Sequence, residues 1–342
     1  MSRLLVFGGA DVRAALPAAE CAQAMAEVLA ATARGETFMP LRSVMRPPSG
    51  TGFMGLMPAW RGGRRETRER GGSAATGDAD VFALKAICIM PGNPARGLDA
   101  HQGTVTLFDG DTGRPRAILD ASALTEIRTA AVSAVATRTL ARPAARVLAV
   151  LGAGVQGRAH VEALSWFEEV RVYAPRLERA RALADEAAGR PGSSRRVIAC
   201  ERPEEAVRGA DVVVCATSAR RPVLRREWLA AGAHVNAVGA STPAARELDT
   251  DTVVAAALFC DSRESLEHEA GEWQLARREG LLGEDHVRAE LGEVLAGLRP
   301  GRGSEEELTV FRSLGLAVED LAAAELAVAR AQRLGVGTEV EL

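Results

Sequence analysis

One segment constrains this chain more than any other. The apolar run Val147-Leu148-Ala149-Val150-Leu151 leads directly into Gly152-Ala153-Gly154-Val155-Gln156-Gly157. A continuous apolar run reads as a buried parallel strand. The Gly-x-Gly-x-x-Gly that follows allows a tight turn, a close approach to a pyrophosphate and close packing of the next helix. That helix aims its first N–H groups at the phosphates. Strand, glycine turn and helix in this order predict a dinucleotide site at Gly152, Gly154, Val155, Gln156 and Gly157. Without a ligand, the same residues would be only a strand-to-helix turn.

The surrounding sequence supports an α/β fold of the Rossmann type, a doubly wound parallel sheet. From Arg128 onward, strands predicted over 147–151, 170–173, 197–199, 211–216, 234–238 and 256–260 alternate with helical patterns such as 177–188, the signature of a parallel sheet covered on both faces. The earlier part mixes a helix over 14–33 with strands over 81–89, 103–108 and 117–119, and a hairpin turn at 109–113. Residues 61–80 read as a surface loop. A last helix over 318–333 is expected to return to the first domain. The division is therefore an α+β first domain over 1–125, joined by 318–342, and a dinucleotide-binding domain over 126–317.

Composition excludes several classes. A net charge of −3 provides no basic field for nucleic acid, and 4% aromatic residues provide no base-stacking platform. No apolar run approaches a membrane span. Five dispersed cysteines without C-x-x-C spacing and five dispersed histidines without H-E-x-x-H suggest reduced thiols, a cytoplasmic setting and no metal site.

Several side chains are candidates for chemistry. At the end of the second Rossmann strand, where a carboxylate would bind the ribose of NAD, the chain has Ala174-Pro175-Arg176. A phosphate-compatible arginine there favours NADP(H), with NAD(H) possible; a solvated helix start is the plainer reading. Thr217 and the segment Val238-Gly239-Ala240-Ser241 end buried strands at the ligand-binding edge of such a sheet. Lys85 interrupts an apolar strand and shares a face with Ala83 and Ile87, so it points either into a cleft or, from an edge strand, to water. Arg42 and Arg128 flank apolar segments, and either fits a surface role as well. Glu264, Glu267, His268 and Glu269 read as a solvated helix face.

Together with Met39-Pro40-Leu41-Arg42-Ser43-Val44, His101-Gln102-Gly103-Thr104-Val105, Leu124-Thr125-Glu126-Ile127-Arg128-Thr129, Arg246-Glu247-Leu248-Asp249 and Ser313-Leu314-Gly315-Leu316-Ala317-Val318-Glu319-Asp320, these features resemble the ornithine cyclodeaminase/mu-crystallin family. The resemblance covers most of the chain. It implies that the first domain binds substrate and forms a homodimer, with an active site between the two domains of one subunit, a nicotinamide cofactor and a small imino or amino acid substrate. It places Arg42 and Lys85 on the substrate carboxylate, with Ser241 and Leu314 beside the substrate. Arg128 falls near both substrate and cofactor, and Thr104, Gln156, Thr217, Val238, Gly239 and Ser313 fall at the cofactor.

One departure from the family matters. Cyclodeaminases and alanine dehydrogenases have an acid/base Asp where this chain has Ser241, and serine is no general base near neutral pH without a partner. The Ser form resembles the ketimine reductase branch. The expected function is an NAD(P)H-dependent reductase of a small α-imino acid, a cyclic ketimine of the pyrroline-2-carboxylate or piperideine-2-carboxylate type. The alternatives are an ornithine cyclodeaminase, an alanine-type dehydrogenase, a reductive aminase, or a non-catalytic NADPH-bound binding protein. A glutamate among 264–269 could replace the missing acid.

Overall fold

The structure is a computed structural model that describes residues 3–48, 50–63, 79–190, 192 and 194–342. Most of the stretch expected as a surface loop, residues 64–78, lies outside them. The chain forms two compact units, Met1–Arg128 with Leu316–Leu342, and Thr129–Gly315.

In the first unit β1 (Arg3–Phe7), α1 (Gly9–Ala15) and α2 (Ala18–Ala33) precede β2 (Thr37–Phe38), β3 (Ser43–Met45), β4 (Phe53–Arg61), β5 (Val81–Ile89), β6 (His101–Asp109) and β7 (Pro115–Asp120). The helix expected over 14–33 is two helices. Pro17 lacks an N–H and disfavours helical backbone at the residue before it, so the chain breaks at Leu16-Pro17 and restarts with Pro17 as N-cap. The strands form one sheet in the order terminal strand Thr338–Glu341, β1, β7, β6, β5, β4, β2, with β3 also on β4.

β4 is not apparent in the sequence because Pro58 sits within it. In the sheet, β3 pairs with Ser43 opposite Leu56 and β2 with Phe38 opposite Trp60. Pro58 falls in the gap between them, where a missing N–H costs no ladder bond on that side. Along β5, Val81, Ala83, Lys85 and Ile87 are buried on one face, as alternation requires. The closing helix, Ala317–Leu334, packs against β4, β5, β6 and α2.

α3 (Ala121–Leu140) leads into the second unit. There β8 (Val147–Leu151), α4 (Val155–Ala163), β9 (Glu169–Tyr173), α5 (Leu177–Ala188), β10 (Arg196–Cys200), β11 (Val212–Cys215), β12 (His234–Ala237), β13 (Ala257–Cys260), β14 (Val287–Glu290) and β15 (Thr309–Arg312) give an eight-stranded sheet in the order β10-β9-β8-β11-β12-β15-β13-β14. Every pairing in it is parallel. Leu148 and Val150 belong to one apolar core, Ala149 and Leu151 to the other. A strand buried on both faces therefore appears in the sequence as one unbroken apolar run.

From β8 the chain winds outward through β9 and β10, then returns to place β11 on the other side. The carboxyl ends of β8 and β11 are thus the switch point, where open α/β sheets bind ligands. β14 and β15 carry no clear sequence signal. Each has four residues and each includes a charged side chain, and β15 enters the sheet out of sequence order, between β12 and β13.

Candidate active site

The three glycines of the turn have separate jobs. Gly152 has φ +115°, and a Cβ there would lie 2.3 Å from the Ala216 carbonyl oxygen. A Cβ on Gly157 would lie 1.9 Å from the Gly152 oxygen, so α4 can seat on the turn only because that Cβ is missing. Gly154 is the α4 N-cap, with no side-chain cap, and nothing lies within 4 Å of the Cβ position. Open space over uncapped helical N–H groups is the cradle a pyrophosphate needs, so the segment fits a dinucleotide. At the end of β9, Ala174 is buried, while Arg176 and Arg179 are exposed at the start of α5.

The neighbouring strand ends are braced by buried carboxylates. Glu247 is fully buried. One of its oxygens accepts hydrogen bonds from the Thr217 N–H at 2.6 Å and hydroxyl at 2.7 Å, and the other accepts from the Gly239 N–H at 2.6 Å. Burial raises its pKa, against the pull of the Thr217 bonds. It ties the loop after β11 to the loop after β12. Asp261 does the same after β15, accepting from the Leu314 and Gly315 N–H groups at 2.5 and 2.7 Å. Thr217, Val238, Gly239, Ser313 and Leu314 are thereby held at one edge of the sheet.

Ser241 is exposed on the segment after β12, and Ser313 and Leu314 are buried. Glu264, Glu267 and His268 are exposed; Glu267 pairs with Arg277 at 2.7 Å, and Glu269 is half-buried. All five cysteines are free, and among the described residues no group of three or more His, Cys, Asp or Glu could hold a metal.

The first unit contributes a buried ionic cluster. Lys85 lies in β5, between β4 and β6, and is only 3% exposed, so the edge-strand reading fails. Its Nζ donates to Thr125 Oγ1 at 2.6 Å and to Asp320 Oδ1 at 3.2 Å. The same Asp320 oxygen accepts from Arg128 Nε at 3.0 Å, and Arg128 Nη1 donates to Glu319 Oε2 at 2.7 Å. Burial draws the Lys85 ammonium down from 10.5 to about 8; Asp320 opposes this, and Arg128 and Arg42 add to it. Arg42 is half-buried, within electrostatic reach of Lys85. Thr104 stands apart. It pairs with Ala86, one step out of phase with Lys85 and Val105, and so lies on the opposite face of the sheet from Lys85.

Glu247, Glu319 and Asp320 stand in segments that carry the family resemblance but gain no role from the sequence, and Asp261 stands in none of them. Two adjacent acids in the first turn of an alanine-rich, otherwise buried helix were a usable signal, since such a position needs a cation partner. So was composition. Lys85 is the only lysine among 42 Lys and Arg residues.

Comparison with known proteins agrees with this fold. The model of the ornithine cyclodeaminase/mu-crystallin family matches residues 5–333, and the chain belongs to that family. It is 40% identical over 295 residues to the ketimine reductase mu-crystallin of Mus musculus, covering 85% of each chain. Among solved structures it is similar to Thermococcus litoralis Δ1-pyrroline-2-carboxylate reductase in complex with NADH and L-proline. The TM-score is 0.89 at 32% identity, covering 98% of this chain and 100% of that one. An archaeal alanine dehydrogenase dimer with bound NAD gives a TM-score of 0.87 at 32% identity, with both chains fully covered.

Proposed function

We propose that this protein is an NAD(P)H-dependent reductase of a small α-imino acid, a cyclic ketimine of the pyrroline-2-carboxylate or piperideine-2-carboxylate type. The observation that carries the reading is the Lys85 cluster. Lys85 and Arg128 balance Glu319 and Asp320, and Arg42 adds one further positive charge. Cations grouped in this way suit a substrate carboxylate, which Arg42 binds through paired hydrogen bonds and Lys85 through a point charge. A lysine near pH 8 also carries a transferable proton under working conditions.

A reduced nicotinamide, when bound, supplies a hydride. Reduction of an imine to an amine also consumes one proton, and the Lys85 Nζ supplies it to the imine nitrogen. Arg128 holds Asp320 and Glu319 beside it by hydrogen bonds. Gly152, Gly154 and Gly157 with Val155 and Gln156 hold the pyrophosphate, and Thr217, Val238, Gly239 and Ser313 form the edge beside it. Ser241 and Leu314 line the substrate. Ser241 provides no base for deamination, which supports reduction of a preformed imine. The buried Ala174 and exposed Arg176 support a preference for NADP(H), with NAD(H) accepted.

A homodimer through the first unit is supported by apolar side chains on the sheet face opposite Lys85 and in the segment before β4, among them Phe82 at 45% exposure and Met45 at 60%. Free cysteines support a reducing, cytoplasmic setting. Among the described residues no helix is long and apolar enough to cross a membrane.

The test is oxidation of NADPH and NADH against a panel of cyclic and linear α-imino acids, with ammonia release from ornithine measured in parallel. Ketimine reduction with little ammonia release is expected. Comparable ammonia release would restore the cyclodeaminase reading, and no turnover of any imine would favour a binding protein.

A further inference from the structure

Wherever else this chain needs a basic side chain it uses arginine; at Lys85 alone it uses lysine. A guanidinium would bring the same charge and more hydrogen bonds, but it does not give up its proton in proteins, whereas a buried lysine does so readily. The one exception therefore sits where a removable proton is useful, and the groups around it decide how firmly that proton is held. Asp320 and Glu319 reach the cluster from the closing helix, Arg128 and Thr125 from α3, and Arg42 from the segment before β3; His101 shares the Lys85 face of the sheet from β6. Asp320 is the anion in contact with Nζ. It is 1% exposed, its Oδ1 is shared between Lys85 and Arg128, and its buried Oδ2 has no hydrogen-bond partner among the described residues.

We infer that Asp320 is a positioning residue that holds the Lys85 ammonium on its buried face and governs when that ammonium releases its proton. This rests on the reading of Lys85 as proton donor. The direction of the effect follows from the charges. Burial, Arg128 and Arg42 all favour the neutral amine, and Asp320 opposes them. Removing its charge leaves the amine-favouring influences largely unopposed, so the proton is lost at lower pH. Ketimine reduction that needs the ammonium then fails at lower pH, on the basic side of its profile.

A single lysine makes the effect directly visible. Protein grown with lysine labelled at the side-chain methylene carbons gives one titrating side-chain signal, read without cofactor or substrate. Lys85→Arg, which removes the signal, confirms the assignment. Asp320→Asn should lower the titration midpoint by about one to three pH units, and the basic limb of kcat/KM should move by a similar amount. An unchanged midpoint, or a midpoint that moves while the basic limb stays, would overturn the proposal. If the wild type reduces no ketimine, the functional reading fails, while the titration still shows whether Asp320 holds the proton. If Asp320→Asn does not fold, Asp320→Glu keeps the charge and displaces it by one methylene. The midpoint should then stay close to the wild-type value while kcat falls with little change in KM; a wild-type kcat would overturn the inference.

Discussion

The two units build their candidate sites by opposite means. In the second, the dinucleotide turn works through what is missing: two Cβ atoms that would strike backbone oxygen, and a third whose space stays open. In the first, four charged side chains are buried together and depend on one another. A turn made of backbone is local and tolerates little change in shape, yet it is indifferent to pH. A cluster made of charges is assembled from distant segments, and its state changes with protonation. Shape and charge should therefore fail differently when perturbed.

The largest effect is expected at the turn. Gly157→Ala places a methyl 1.9 Å from the Gly152 oxygen. It should cost about 3 kcal/mol of stability or more and abolish dinucleotide binding. Gly154→Ala is its counterpart. With nothing within 4 Å, it should cost less than about 1 kcal/mol of stability while weakening the dinucleotide. Thermal melts and calorimetric titration of both variants check this, and equal loss of stability in the two would erase the distinction between packing glycine and cradle glycine.

Next in size is the charge side of the comparison. Arg42→Ala should leave NADPH affinity unchanged and lower kcat/KM for the ketimine by about tenfold to a hundredfold, the range for a hydrogen bond to a charged group. A matching loss of NADPH affinity would show that the two recognition sites are not separable.

The smallest effect is expected at the end of β9. Ala174→Asp puts a carboxylate where the 2′-phosphate would lie and should shift preference toward NADH by about fivefold to tenfold. Titration of native protein that finds NADH bound more tightly than NADPH would refute the cofactor assignment before any variant is made.

The same contrast explains how much could be seen in the sequence. The turn, its strand and the start of its helix occupy eleven consecutive residues, so spacing alone locates them. Leu177–Ala188 likewise matches its predicted span residue for residue, because its apolar face repeats within the helix. Lys85 drew attention as a charge in an apolar strand, but its partner Asp320 is 235 positions away, and no pattern of period two or 3.6 connects them. β15 was missed for a related reason. Its burial comes from β12 and β13 on either side, and Arg312 within it is stabilised by Glu272 at 3.5 Å and by the Ala237 carbonyl. Glu247 lay inside a quoted motif, yet its role depends on the Thr217 and Gly239 N–H groups, which only the fold brings to it.

The separation between Lys85 and Asp320 also bears on the order of assembly. The second unit is one continuous stretch of sequence inserted between the two segments of the first, so its contacts can form as it leaves the ribosome. The first unit has to wait. Until the closing helix and the terminal strand on β1 are synthesised, Lys85 and Arg128 lack their carboxylates, and β4 to β6 lack the helix that covers them. The nascent chain therefore carries an unfinished sheet for the whole interval, with its apolar face exposed at the stage when large proteins are most prone to misassociate. Truncation before Leu316 should accordingly leave a second unit that folds and a first unit that does not, and pulse proteolysis of stalled chains would reveal that difference.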